Sequence, residues 1–349
     1  MSETIEFGAV AVLGAGTMGA GIAQICAAVG AKVQLFDLEA RFVDGGLTRV
    51  RDFLDKGVAK GKTTAAERDA VLANLAGTSD LAAAVRGADL VIEAIPERLD
   101  LKQRTFADVA RACPAGAVLA TNTSSLALAD IFASTPQPER CLGMHFFNPP
   151  PLMPLLEVVQ ARKTSEAVLT RVLAFARRLG KDPIVVKDSP GFATSRLGVV
   201  LGLEAIRMVE AGVASPADID KAMELGYRHQ MGPLKLTDLV GLVVRLSIAD
   251  YLREKLDSPA FEAPALMRTM VAEGKLGKKS GQGDGAASPL RPLLSTRSGP
   301  RPRWSGRSRW ACWCRRRTPA ARPRGRPTAA PRGAAPRTAS FRSTAECRE

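Results

Sequence analysis

The chain has two histidines, so only two imidazoles are available as a base near neutral pH. His145 stands in Met144-His145-Phe146-Phe147-Asn148-Pro149, and Glu157 follows in Leu155-Leu156-Glu157-Val158-Val159. A carboxylate inside an apolar strand needs a partner, and orienting an imidazole for proton transfer supplies one. A structural histidine bonded to backbone is the competing reading of the same spacing. His229 lies in the polar run Tyr227-Arg228-His229-Gln230 and reads as solvated.

A second constellation suits phosphate. Val10-Ala11-Val12-Leu13 leads into Gly14-Ala15-Gly16-Thr17-Met18-Gly19, a G-x-G-x-x-G turn between a strand and an apolar helix. Such glycines permit a tight turn and close backbone approach to a pyrophosphate, while the helix start offers free N–H groups. Asp37 ends the second strand, 21 residues after Gly16. A carboxylate there can bond a ribose 2′-hydroxyl and repel a 2′-phosphate, so the expected cofactor is NAD. Lys56, Lys60 and Lys62 form a cationic cluster, which fits either an anionic handle on a substrate or an ordinary solvated helix face. No metal-ligating cluster is evident, since Cys312-x-Cys314 lacks a second pair or a nearby histidine.

These residues need a scaffold of alternating strands and helices. Strand-like runs fall at Ala9–Leu13, Val33–Asp37, Asp89–Ile95, Ala117–Thr121, Cys141–Phe146, Leu155–Val159 and Pro183–Lys187, with helical stretches between them. Thr64-x-x-Glu67 has the form of a capping box. That alternation predicts an α/β domain with a parallel sheet. From Ser189 the strand signal stops, and helical spacing covers Arg196–Glu210, Asp218–Leu225, Leu234–Leu256 and Pro264–Glu273. The change at Lys187–Pro190 marks a boundary before an all-helical domain.

Composition narrows the class. With 46% hydrophobic and 24% charged residues, the chain is neither wholly disordered nor a disulfide scaffold. The net charge of +14 suggests nucleic acid until it is divided along the chain. Residues 284–349 hold 16 Arg and 3 acids, leaving 33 basic and 32 acidic side chains in residues 1–283. The body is therefore neutral, and nucleic acid is not an expected partner. The tail, with 9 prolines and few aliphatic residues, is expected to be disordered. Unpaired cysteines fit a reducing cytoplasm, and the acidic Met1–Glu6 segment argues against a signal peptide. Phe7–Ala31 lacks charge but holds six glycines, which favours a buried strand and helix over a membrane span.

Taken in order, Gly14–Gly19, Asn122-Thr123-Ser124-Ser125-Leu126, His145–Pro149, Leu156-Glu157-Val158, Asp188-Ser189-Pro190-Gly191-Phe192 and Met231-Gly232-Pro233-Leu234 resemble the L-3-hydroxyacyl-CoA dehydrogenase family, particularly its short bacterial 3-hydroxybutyryl-CoA members. The resemblance covers about residues 5–283. It implies a Rossmann-type NAD-binding domain (1–187), a helical domain that dimerises (188–283), and reversible oxidation of an acyl-CoA substrate in the cytoplasm. It also implies roles. His145 would be the base, Glu157 its orienting partner, and Ser124 a hydrogen-bond donor to the reacting oxygen. Asn148 would lie near substrate and nicotinamide. Gly14, Gly16, Thr17, Met18, Gly19, Asp37, Glu97, Lys102 and Asn122 would serve the cofactor, and Lys56 and Lys60 the coenzyme A phosphates.

The chain departs from the family pattern in places. Ser195 stands where the family has a substrate-site asparagine. After Gly283 the family pattern ends and the Arg-rich tail begins, as a frame shift in GC-rich coding sequence would produce. Pro154 replaces a lysine usual in the acyl-CoA enzymes, which leans toward a related dehydrogenase of free hydroxy acids. Ser195 and the basic tail together would also suit a weakened enzyme reused as a binding protein.

Overall fold

The structure, a computed structural model, describes residues 6–277; residues 1–5 of the N-terminal acidic segment, the Cys312-x-Cys314 pair and the 284–349 tail lie outside them. The chain begins β1 (Ala9–Leu13), α1 (Thr17–Ala28), β2 (Lys32–Phe36), α2 (Ala40–Ala59), α3 (Ala65–Ala73) and β3 (Leu75–Thr78). It continues α4 (Leu81–Val85), β4 (Leu90–Glu93), α5 (Leu99–Ala112), β5 (Val118–Thr121), α6 (Leu128–Ile131) and β6 (Cys141–Phe146). Then come β7 (Leu155–Gln160), α7 (Glu166–Arg178) and β8 (Asp182–Lys187). Five helices follow: α8 (Thr194–Glu210), α9 (Pro216–Gly226), α10 (Pro233–Val240), α11 (Leu242–Leu256) and α12 (Ala265–Ala272).

The strands form one eight-stranded sheet in the order β3-β2-β1-β4-β5-β6-β7-β8. Side chains alternate across it because successive residues of a strand face opposite ways. Val10 and Val12 join one core layer with Ile22 and Phe175, while Ala11 and Leu13 join the other with Phe106 and Leu119. Both faces are thus covered, which is why these strands read as continuous apolar runs. The strand order reverses between β1 and β4, and ligands of open α/β sheets bind outside strand ends at such a point.

Three expectations need correction. The sheet has an eighth strand, β3, whose half-exposed Leu75–Thr78 gives little apolar signal. It is not wholly parallel: β7 runs antiparallel to β6, and β8 follows β7. The helical stretch expected over Leu234–Leu256 is two helices, broken at Gly241, whose φ of 97° ends α10 in a conformation that disfavours other residues. The Thr64–Glu67 capping box is present as expected.

Candidate active site

The antiparallel register of β6 and β7 sets His145 directly opposite Glu157. Directly opposed residues share a face and stand close enough to touch, and His145 Nδ1 lies 2.7 Å from Glu157 Oε2. A carboxylate at Nδ1 keeps the proton there and leaves Nε2 with a free lone pair. Glu157 is 0% exposed. Burial pushes its carboxyl up, but the bonds from His145 and Thr194 outweigh burial and hold it below the usual value. Those donors are the Thr194 hydroxyl (2.7 Å) and the Thr194 and Ala193 amides (3.0 and 3.2 Å). The start of α8 therefore clamps the carboxylate that orients the histidine. Phe147 and Phe192 flank the ring, with centroids 4.6 and 6.0 Å away.

At the end of β1, Gly14 has a φ of 99°, and a Cβ there would meet the Ala94 carbonyl at 2.7 Å. A Cβ on Gly19 would fall 1.7 Å from the Gly14 carbonyl oxygen, so the first turn of α1 can close only over glycine. Gly16 and Thr17 are exposed at that helix start, and nothing lies within 4 Å of the Cβ position of Gly16. Met18 is half-buried and packs on the sheet core. This is an open cradle of backbone amides that fits a dinucleotide pyrophosphate. Asp37, just past β2, accepts from the Ala15 amide at 2.8 Å and braces the same turn.

A polar network links the ends of β4 and β5. Lys102 is 1% exposed, with Nζ 2.7 Å from Glu93 and 3.3 Å from Glu97. Glu97 accepts from the Thr123 hydroxyl (2.6 Å) and the Ser124 amide (2.8 Å), so it fixes the loop that presents Ser124. Asn122 accepts from the Phe146 amide at 2.8 Å and ties that loop to the strand bearing His145. Lys102 and Asn122 thus brace the loops after β4 and β5 through these partners. Sequence reasoning missed Glu93 and Thr194. Glu93, a carboxylate in the run Leu90-Val91-Ile92-Glu93, carried the same signal as Glu157; Thr194 carried none.

Asn148 is exposed beyond β6, and Ser195 is half-buried on the first turn of α8. Lys56 and Lys60 lie apart from the histidine, on a cleft of about 770 Å³ walled by Phe53, Leu54, Val71 and Leu152. Lys62 also lines it. His229 is exposed.

Comparison with known proteins points one way. Residues 9–189 match the family profile described as the 3-hydroxyacyl-CoA dehydrogenase NAD binding domain, and residues 191–285 match the C-terminal domain of the same family. The 3-hydroxybutyryl-CoA dehydrogenase of Mycobacterium tuberculosis is 44% identical over 285 residues, covering 81% of this chain and 99% of that protein. A probable 3-hydroxybutyryl-CoA dehydrogenase of Bacillus subtilis is 41% identical, over 80% of this chain and 97% of its own. Among solved structures, (S)-3-hydroxybutyryl-CoA dehydrogenase from Ralstonia eutropha superposes with a TM-score of 0.76 at 39% identity, covering 79% of this chain and 98% of that one.

Proposed function

Because the chain belongs to the 3-hydroxyacyl-CoA dehydrogenase family, we propose that it oxidises 3-hydroxybutyryl-CoA, with His145 as base and Glu157 as its orienting partner. The protein is an NAD-dependent oxidoreductase of 3-hydroxyacyl-CoA substrates. NAD, when bound, accepts the hydrogen and electron pair leaving substrate C3. The protein's own task is the proton. His145 Nε2 takes it from the 3-hydroxyl, and Glu157 stabilises the resulting imidazolium across a bond of 2.7 Å. Ser124 donates to the reacting oxygen, and Asn148 borders substrate and nicotinamide. Gly14, Gly16, Thr17, Met18, Gly19 and Asp37 form the cofactor turn, and Lys56 and Lys60 hold the coenzyme A phosphates in the cleft beside Leu152.

The buried His145–Glu157 pair carries this reading. NAD reduction measured with 3-hydroxybutyryl-CoA and with free 3-hydroxybutyrate tests it. Turnover of the CoA ester alone is expected; turnover of the free acid alone would favour the hydroxy-acid reading.

We assign residues 1–187 to the cofactor domain and 188–283 to a dimerising helical domain. Exposed Leu201, Leu239, Val243 and Val244 on α8, α10 and α11 support a second copy as partner. Sedimentation of the full chain should show a dimer. No helix of the described residues is long and apolar enough to cross a membrane, and free thiols at Cys26 and Cys141 accord with the cytoplasm.

A further inference from the structure

The segment that carries Ser124 leads from β5 into α6, and its amides join no ladder. From Thr123 to Ala129, seven consecutive amides each donate to a side-chain oxygen at 2.8–3.2 Å. Backbone N–H groups need acceptors, and where no strand or earlier helical turn supplies them, the side chains that do so fix the path of the chain. Thr121 and Thr123 serve Thr123 and Leu126, Glu97 serves Ser124 and Ser125, and Asp188 serves Leu128 and Ala129. The fifth acceptor, for Ala127, is Tyr251, the one of the five that stands on the helices α8–α12.

Tyr251 lies on α11, is half-buried and packs on the core of the helical bundle. Its hydroxyl oxygen accepts from the Ala127 amide at 3.1 Å, across 124 positions of sequence. Burial, with the nearby Asp130, Asp188 and Glu97, holds the phenol above its usual pKa against the pull of that amide, so the hydroxyl is neutral near pH 7. α11 reaches the same segment a second time. Gly191 donates to the Ser125 carbonyl at 3.1 Å, and a Cβ on Gly191 would meet the side chain of Leu252, next to Tyr251, at 2.9 Å. At the other end of the segment, Asn122 accepts from the Phe146 amide, next to His145. Ser124 is thus held between the strand that bears the histidine and α11.

We propose that Tyr251 is a positioning residue for the oxidation: by holding Ala127, its hydroxyl sets how closely Ser124 approaches the oxygen that gives its proton to His145. This rests on the donor role of Ser124 proposed above. The other four acceptors keep the course of the segment, so losing this bond loosens only the end nearest the helices. A displaced donor weakens most where charge develops, so the loss falls on turnover rather than on substrate binding.

Y251F in the full chain removes one oxygen and keeps the packed ring. With 3-hydroxybutyryl-CoA and saturating NAD, its kcat should fall about three- to tenfold, the cost of one neutral hydrogen bond, while KM for the ester moves less than about twofold. S124A should lower kcat about ten- to a hundredfold. The S124A, Y251F double variant should lie within about twofold of S124A, because Tyr251 has nothing to position once the donor is gone. Multiplicative losses would overturn the proposal. So would a Y251F kcat equal to the parent's, and a lower thermal midpoint beside that unchanged kcat would assign the bond to stability alone. S124A turning over at the parental rate would instead overturn the donor role of Ser124, and a parent inactive on the ester the reaction itself, each taking this inference with it.

Discussion

His145 and Glu157 should respond to mutation as one unit, because the carboxylate sets both the tautomer and the direction of the ring. H145Q should lower kcat by about 10²–10⁴-fold, the range for a lost general base, and adding E157Q should cost little more. Steady-state kinetics of the two single variants and the double variant measure this; multiplicative losses would separate the pair. The same carboxylate also gives a pH signature. Its folded pKa lies below the ordinary value of 4.5, so its contribution to stability is complete above that value and fades as pH falls through the folded pKa. The E157Q thermal midpoint should therefore fall less steeply in acid than that of the parent. Ser195 makes a separate prediction. A serine hydroxyl stands closer to the backbone than an amide and has fewer donors. S195N should raise kcat/KM for 3-hydroxybutyryl-CoA about tenfold or more, by restoring a bond to developing charge. An unchanged rate would mean that α8 has adjusted to the shorter side chain.

The loop between β6 and β7 depends on a buried ammonium. Lys181 donates to the Pro150 and Met153 carbonyls at 2.5 and 2.9 Å, and burial pulls its pKa down. Pro151 and Leu152, within that loop, wall the lysine-lined cleft. K181M should raise the KM for acyl-CoA several-fold with kcat nearly unchanged, as expected when ground-state positioning is lost; a fall in kcat alone would argue against a positioning role. At this level the sequence was readable where burial on both faces made strands run apolar, as in Val10–Leu13 and Leu90–Ile92. It was unreadable where burial was partial: β3 sits at the sheet edge with both central residues exposed. Strand direction leaves no trace in periodicity, so the reversal at β7 was hidden, and with it the reason a twelve-residue separation closes to 2.7 Å. A continuous helical period masked the break at Gly241, because α10 and α11 keep apolar residues on both sides of it. Among the candidate site residues, spacing made the glycine turn legible, whereas His145 and Glu157 stood out by residue type and their pairing stayed open against a structural histidine until the family resemblance was drawn. Thr194 was invisible, because its bond to Glu157 is made across the fold.

For the whole molecule, the family match ends at residue 285, and the body's charges balance without the tail. A chain ending at Gly283 should bind NADH with the affinity of the full chain, checked by fluorescence titration; a lost affinity would assign the tail a part in the cofactor domain. The site's carboxylates, meanwhile, each grip a backbone amide of a different turn: Asp37 that of Ala15, Glu97 that of Ser124, and Glu157 that of Thr194. Those turns lose their conformational freedom when the chain folds, before any ligand arrives. Rigidity and recognition therefore draw on one set of bonds. Substitution at Asp37 or Glu97 should lower the melting temperature and NADH affinity together, and NADH should associate in a single phase whose rate rises linearly with its concentration. The enzyme would meet its cofactor as a finished socket, with no slow closing step to limit how fast it loads.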